Sequence, residues 1–274
     1  GIEIVGAIDV GDEKVGKDLG DVIGLGKQLG ITISNDVDSV LSQSDADIVV
    51  QATSSFLRDV YPQIVRIVRK GVSLISTCEE LSYPYTADLK VAEEIDELAK
   101  QHKVTVLGTG INPGFLMDTL PIVLTGVCQK VNRIEVKRIM NAATRRVPFH
   151  KKIGVGLTVE EFNEKTGRGL ITGHVGLEQS IAMIADALGW KLEDVQVNAV
   201  EPIIAKKQLS SEAVKVGPGH VAGLRQTAIG IKDGAPIIVL DFEAYIGADE
   251  EYDSIMVDGT PEINEKISPC VHGD

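Results

Sequence analysis

The stretch VTVLGTGINPGF, Val104 to Phe115, runs an apolar strand into a glycine-rich turn and then into Pro113 and Gly114 at the mouth of an amphipathic segment. In an open α/β sheet, ligands bind at the carboxyl ends of the strands, where strand gives way to helix. An earlier run, Val72 to Ser76, ends in the same manner and delivers Thr77, Cys78, Glu79 and Glu80 to that edge. Two carboxylates therefore stand where a reacting group would sit.

Upstream, strand and helix patterns alternate. Gly1 to Val10 reads as a β-branched strand closed by Asp9, followed by a glycine-rich loop, Gly11 to Gly26, and a short strand at Ile31 to Ser34. Asn35 or Asp36 can cap a helix through Leu41, and Asp45 to Ala52 reads as a fully apolar, buried strand ending at Thr53, Ser54 and Ser55. A helix at Leu57 to Arg69, one at Ala87 to His102 and the strand Val104 to Leu107 complete the alternation. Such a pattern predicts an α/β fold with a Rossmann-type parallel sheet.

A further helix is expected from Gly114 to about Val127, after which the period changes. Val131 to Met140 alternates apolar and charged residues, as a half-solvated antiparallel strand does, so a second, mixed α+β domain is expected over 128–250. Within it Thr158 and Glu161 form a capping box, and Gly173 to Trp190 carries an apolar stripe of helical spacing. Long strands are expected at Val195 to Leu209, His220 to Lys232 and Ala235 to Ile246. Residues 1–127 form the expected nucleotide-binding domain, and 251–274 a return segment toward it.

Among the 274 residues, 27 Lys and Arg face 40 Asp and Glu, a net charge of −13 that repels phosphate backbones and anionic lipid. Nucleic acid and membrane are thus poor partners, and no apolar run approaches the roughly 20 residues of a membrane span. The cysteines Cys78, Cys128 and Cys270 lack metal-type spacing and fit a reducing, cytoplasmic setting. No His-x-x-x-His lies on an expected helix and no Gly-x-Ser-x-Gly elbow occurs, so the reading assigns no metal and no Ser/His/Asp hydrolysis.

Asp9, closing its strand, matches the acid that accepts hydrogen bonds from an adenosine ribose, and equally a strand-terminal turn residue. The glycine fingerprint belonging about 20 residues before such an acid is not in the chain, so an upstream strand and phosphate loop are expected if a dinucleotide binds.

Four segments carry a resemblance: ISTCEELSYP (Ile75 to Pro84), GTGINPGF (Gly108 to Phe115), NAAT (Asn141 to Thr144) and the basic stretch Arg145 to Gly156. Together they resemble the 2,4-diaminopentanoate dehydrogenase family, which includes the native amine dehydrogenases. The resemblance spans nearly the whole chain. It implies an architecture like that of dihydrodipicolinate reductase, a Rossmann domain followed by a mixed substrate and dimerisation domain, and oxidative deamination, with NAD or NADP, of an amine on a non-α carbon. Dihydrodipicolinate reductase itself is disfavoured, because its Lys-x-Asp-x-Pro-Ser-Gly-Thr loop is not found.

An amine must lose a proton before hydride leaves, and water must then attack the imine, so a carboxylate can serve both steps as base. Glu79 and Glu80 are the candidates; as alternate residues face opposite ways, one is expected to point inward, with a slight preference for Glu80. The same two residues also fit a plain helix-start carboxylate pair. Thr53, Ser54, Ser55, Thr77, Cys78, Asn112, Pro113 and Gly114 are expected along the cofactor, and Asp9 favours NAD unless Lys14 or Lys17 swings in.

Phe115, Asn141, Arg145, Arg146, Lys151 and His174 are expected toward the substrate. The basic run, which also holds His150 and Lys152, suits a substrate carboxylate, a cofactor 2′-phosphate or simple solvation. The reading is thus 2,4-diaminopentanoate oxidised to 2-amino-4-oxopentanoate and ammonia by a homodimer. An imine reductase and a non-catalytic ligand sensor are the alternatives.

Overall fold

The computed structural model describes residues 1–211 and 214–272, and the chain divides into two units, Gly1–Gly108 and Thr109–Asp274. In the first, the elements run β1 (Ala7–Ile8), α1 (Leu19–Val22), β2 (Ile33–Ser34), α2 (Val37–Gln43), β3 (Ile48–Gln51), α3 (Leu57–Arg69), β4 (Ser73–Ser76), α4 (Leu89–His102) and β5 (Val106–Gly108). A 3₁₀ turn at Glu79–Ser82 follows β4. All pairings are parallel, β1 with β2 and β3-β4-β5 in a second sheet. Asp36 and Asp88 cap α2 and α4 by accepting backbone N–H groups. On α3, Leu57, Val60, Ile64, Ile67 and Val68 recur at helical spacing and bury against Leu74, Leu81 and Ile95.

Two expected strands are shorter than the sequence suggested. Only Ala7 and Ile8 of Gly1 to Val10 pair in a sheet, because β2 offers a two-residue partner. The strand expected at Asp45 to Ala52 is not fully buried either: Ile48 and Val50, on one face of β3, are exposed, while Val49 on the other face packs against the core. A continuous apolar run cannot reveal which of its faces is covered.

The second unit contains α5 (Thr119–Thr125), β6 (Lys130–Asn141), α6 (Val147–Lys152), α7 (Val159–Gly167), α8 (Leu177–Ala187), β7 (Asp194–Val197), β8 (Glu201–Ile204), β9 (Leu209–Ser210), β10 (Lys215–Val216), β11 (Val221–Lys232), β12 (Ala235–Tyr245), β13 (Tyr252–Thr260) and β14 (Ile263–Ile267). One sheet takes the order β14-β13-β6-β12-β11-β7, with β8 also on β11, while β9 and β10 form a separate ribbon. The central pair β6 and β12 is parallel and the others are antiparallel, a correction to the all-antiparallel expectation for β6.

Ile134, Val136, Ile238, Leu240, Ile255 and Val257 from the middle strands meet Leu177, Ile181 and Ile184 of α8. Each such buried side chain contributes roughly 1.5–3 kcal/mol. Nearer the strand ends, Met140, Phe162, Leu224, Phe242 and Ala244 build a second core. Alternate residues on the other face carry an ionic ladder in which Asp241 takes Arg225 and Lys137, and Lys137 also reaches Glu243.

The unit boundary falls at Gly108 and Thr109 and not near Cys128, because α5 packs on β6, β13 and α8. Residues expected to return toward the first unit instead form β13 and β14, whose Ile255 and Val257 complete the sheet's core. The helix expected from Gly114 begins only at Thr119, and the one expected from Gly173 begins at Leu177. Val195 to Leu209 breaks into β7, β8 and β9, since β7 and β8 pair with different ends of β11. No helix among the described residues is long and apolar enough to cross a membrane.

Candidate active site

At the carboxyl edge of the first unit, short strands are held by side chains. Ser76 Oγ donates to Gln51 Oε1 (2.9 Å), and both Gln51 Nε2 (2.7 Å) and Thr53 Oγ1 (2.9 Å) donate to Gln63 Oε1. Ser54 Oγ donates to Asp59 Oδ2 at 2.8 Å and accepts from Phe56 N at 3.2 Å, while Ser55 O accepts from Glu80 N at 3.2 Å. Thr77 N donates to Gln51 O at 2.9 Å. The Cys78 thiol is buried, and desolvation first, then the neighbouring Glu79 and Glu80 charges, push its pKa up to about 11. It is an inert thiol, held back from the edge.

The two glutamates differ in their commitments. Helix α3 starts at Phe56 without a side-chain cap of its own, and Glu80 Oε2 supplies one by accepting Leu57 N–H at 2.6 Å. Glu79 is half-buried and has no hydrogen-bond partner among the described residues. The slight sequence preference for Glu80 therefore turns toward Glu79. Asp9 Oδ1 accepts from Gly11 N (2.8 Å) and Oδ2 from Lys14 Nζ (2.7 Å), which lowers its pKa, through Lys14 first. The remaining lone pairs fit a ribose diol and the remaining Lys14 protons fit a 2′-phosphate, so NAD and NADP both match this pair.

In the second unit, the turn before α5 is built around a buried acid that sequence reading missed. Asp118 Oδ2 accepts from Gly114 N (2.8 Å) and from Ser180 Oγ (2.8 Å), and Asp118 caps Thr119 N. Starting the helix at Gly114 hid this cap; Asp118 followed by Thr119 was the available signal. Gly114 has φ +118°, and a Cβ there would stand 2.3 Å from Gly110 N, so only glycine closes the turn.

The preceding Asn112 and Pro113 are joined by a cis peptide. Asn112 Nδ2 lies 2.9 Å from His174 Nε2, and Asn112 Oδ1 is buried without a partner. His174 stacks on Phe242 at 4.6 Å between ring centroids, and its backbone N–H donates to Gln226 Oε1 at 2.8 Å. Gly173, at φ +71°, permits that approach, since a Cβ would meet Gln226 Oε1 at 2.3 Å. Desolvation, then the charges of Lys152 and Arg138, bring the His174 pKa down to about 3. At neutral pH this ring is a neutral dipole beside an open acceptor, not an acid.

The basic run splits. Arg145 and His150 are buried, with His150 Nε2 2.6 Å from Ala142 O, whereas Arg146, Lys151 and Lys152 are exposed. Asn141 Oδ1 accepts from Ala143 N at 3.1 Å, and its N–H donates to Glu251 Oε2 at 3.1 Å. Phe115 is 44% exposed, an apolar side chain on the turn's surface. Asp274 lies outside the described residues.

Residues 115–274 match the 2,4-diaminopentanoate dehydrogenase C-terminal domain. A 2,4-diaminopentanoate dehydrogenase from Acetoanaerobium sticklandii is 36% identical over 98% of this chain and 81% of its own length. The chain belongs to the 2,4-diaminopentanoate dehydrogenase family. As a member of it, the chain is an oxidoreductase acting on amines. An amine dehydrogenase from Streptomyces virginiae is 22% identical over 95% of the chain and 76% of its own length. The solved amine dehydrogenase of Mycobacterium smegmatis superposes with a TM-score of 0.82 at 27% identity, over 97% of this chain and 79% of that one. The WlbA dehydrogenase of Bordetella pertussis, solved with NADH and UDP-GlcNAcA, gives 0.56 at 12% identity over 99% of this chain and 68% of that one, a likeness of Rossmann-type fold alone.

Proposed function

We propose that this member of the family oxidises 2,4-diaminopentanoate at its C4 amine, with Glu79 as the base. The observation that carries the assignment is the division of labour at the end of β4: Glu80 is spent on the cap of α3, and Glu79 keeps both oxygens unengaged. Glu79 removes a proton from the substrate ammonium, leaving a lone pair on nitrogen. Asp9 and Lys14 would hold the ribose of NAD or NADP, and the nicotinamide would supply the acceptor for the C4 hydride. Glu79 releases that proton to solvent, takes another from water as the water adds to the resulting iminium carbon, and passes it to the nitrogen, so that the C–N bond breaks to give 2-amino-4-oxopentanoate and ammonia.

Asn112 Oδ1, the unpartnered acceptor, offers a hydrogen bond to a substrate N–H, and neutral His174 holds the Asn112 amide in place. Arg145, with Arg146 and Lys151, supplies the positive charge for the substrate carboxylate. Three free cysteines suit a reducing cytoplasm. A two-fold pair through the ladder face of the large sheet is the proposed assembly; light scattering at micromolar concentration should give a dimer, and a monomer would contradict it.

Amine oxidation is tested by following nicotinamide reduction and ammonia release from 2,4-diaminopentanoate, and the reverse reaction with and without ammonium. The reading expects equal molar yields of reduced cofactor and ammonia, and a strict ammonium requirement in reverse. Cofactor oxidation independent of ammonium would point to an imine reductase, and no response to either nicotinamide would point to a sensor.

A further inference from the structure

Three side chains of different chemistry, unused by the reaction above, meet where the segment after β14 returns to the start of β13: Glu251, Cys270 and His272. One ligand atom from each lies within 4.8 Å of the others. Cys270 Sγ is 3.7 Å from Glu251 Oε2, and His272 Nε2 is 3.2 Å from Glu251 Oε1. Zinc bonds of about 2.0–2.3 Å arranged as a tetrahedron give ligand-to-ligand edges of roughly 3.3–3.6 Å; the two separations to Glu251 are close to that, and the edge between Cys270 and His272, within 4.8 Å, closes by movement of the half-exposed His272 side chain. We propose that Glu251, Cys270 and His272 form a three-ligand site for Zn²⁺ or a divalent cation of its class, fastening residues 270–272 to the head of β13.

The supporting framework is rigid. Val271, between the two ligands from this segment, is gripped on both backbone groups: its N–H donates to Asp253 Oδ2 at 2.8 Å, and its carbonyl accepts from Arg138 Nη2 at 2.5 Å. Arg138 and Asp253 are themselves a buried ion pair with side chains only 4% and 3% exposed. Cys270 and His272, on either side of this clamp, both reach Glu251, whose Oε2 is further oriented by Asn141 N–H. Outer partners of this kind fix ligand geometry and raise affinity.

A thiolate, an imidazole and a carboxylate together favour a borderline-soft cation over Mg²⁺ or Ca²⁺. Half of the His272 side chain is exposed while Cys270 is buried, which leaves the fourth position on the solvent side for water. Without a cation, burial holds the Cys270 thiol protonated, with its pKa pushed up to about 11; coordination would release that proton.

The test uses the chelator-treated, dialysed protein titrated with Co²⁺ as a spectroscopic probe. One equivalent should bind with a near-ultraviolet sulfur-to-cobalt band and intense visible bands of a four-coordinate ion, both removed by added Zn²⁺. Cys270→Ser should abolish the sulfur band, and His272→Ala, a change on the exposed side, should weaken binding by about tenfold or more. Absence of the sulfur band at one equivalent, or the same band and affinity in either variant, would overturn the proposal.

Discussion

In the Gly1–Gly108 unit the strands come as two separate parallel sheets, of two and three strands, whereas the Thr109–Asp274 unit builds one seven-stranded sheet. The exposure of their β-branched residues differs accordingly: Val10 and Val50 are 84% and 70% exposed, while Ile134, Ile238 and Val257 are at 0%. β1 and β3 each pair on one side only, so their backbones hold fewer ladder bonds and their side chains gain less from burial. The functional edge of the first unit depends instead on side-chain bridges, Gln51 to Gln63 and Glu80 to Leu57. The lesson is that sites on a thin sheet are held by polar contacts, and sites on a thick one by packing.

Substitutions that attack each kind of support sharpen the contrast. The largest effect is expected at Arg138. Arg138→Met leaves Asp253 buried and uncompensated and frees Val271, at a cost of about 3–5 kcal/mol in urea unfolding. Recovery of most of that loss on adding Asp253→Leu is expected; a single variant as stable as the parent would show that packing alone carries the second unit.

An intermediate effect is expected from His174. Its pKa of about 3 in the folded chain lies below the ordinary value of 6.5, so between those values the unfolded state binds more protons. Stability should be complete above about pH 6.5 and fall as the pH drops toward 3, by up to about 1 kcal/mol per pH unit. His174→Gln should flatten that slope, as read from melting curves across pH; an unchanged slope would place the proton uptake elsewhere. The smallest effect belongs to the first unit, where Glu80→Ala removes the outside cap of α3 and should cost about 1 kcal/mol. Hydrogen exchange at Leu57 and Arg58 should quicken, with the second unit's amides unaffected.

Much of the fold was legible because helix signals are local. Leu57 to Arg69 showed its stripe and Thr158 with Glu161 its capping box, and both helices form with those features. Misreadings cluster where the deciding partner is distant in sequence. Asp45 to Ala52 looked buried because apolar content does not say whether a sheet has a neighbour, and 251–274 looked like a return segment because β13 draws its pairing from β6, far upstream. At the candidate site, residue types pointed to Glu79 and Glu80 together. Only the Leu57 N–H on Glu80 separates them, and no spacing rule contains that bond. Asp118 stayed hidden for a related reason, as its partners Gly114 and Ser180 come from different elements.

The base assignment is tested most directly by kcat for amine oxidation in Glu79→Gln and Glu80→Gln, each measured beside the affinity for reduced nicotinamide. Gln preserves size and hydrogen bonding but cannot accept the proton. Glu79→Gln is expected to lower kcat by about 10²–10⁴ with cofactor affinity nearly unchanged, and Glu80→Gln to cost far less, since an amide oxygen still caps α3. Near-parental kcat in Glu79→Gln, or the larger loss in Glu80→Gln, would contradict the account.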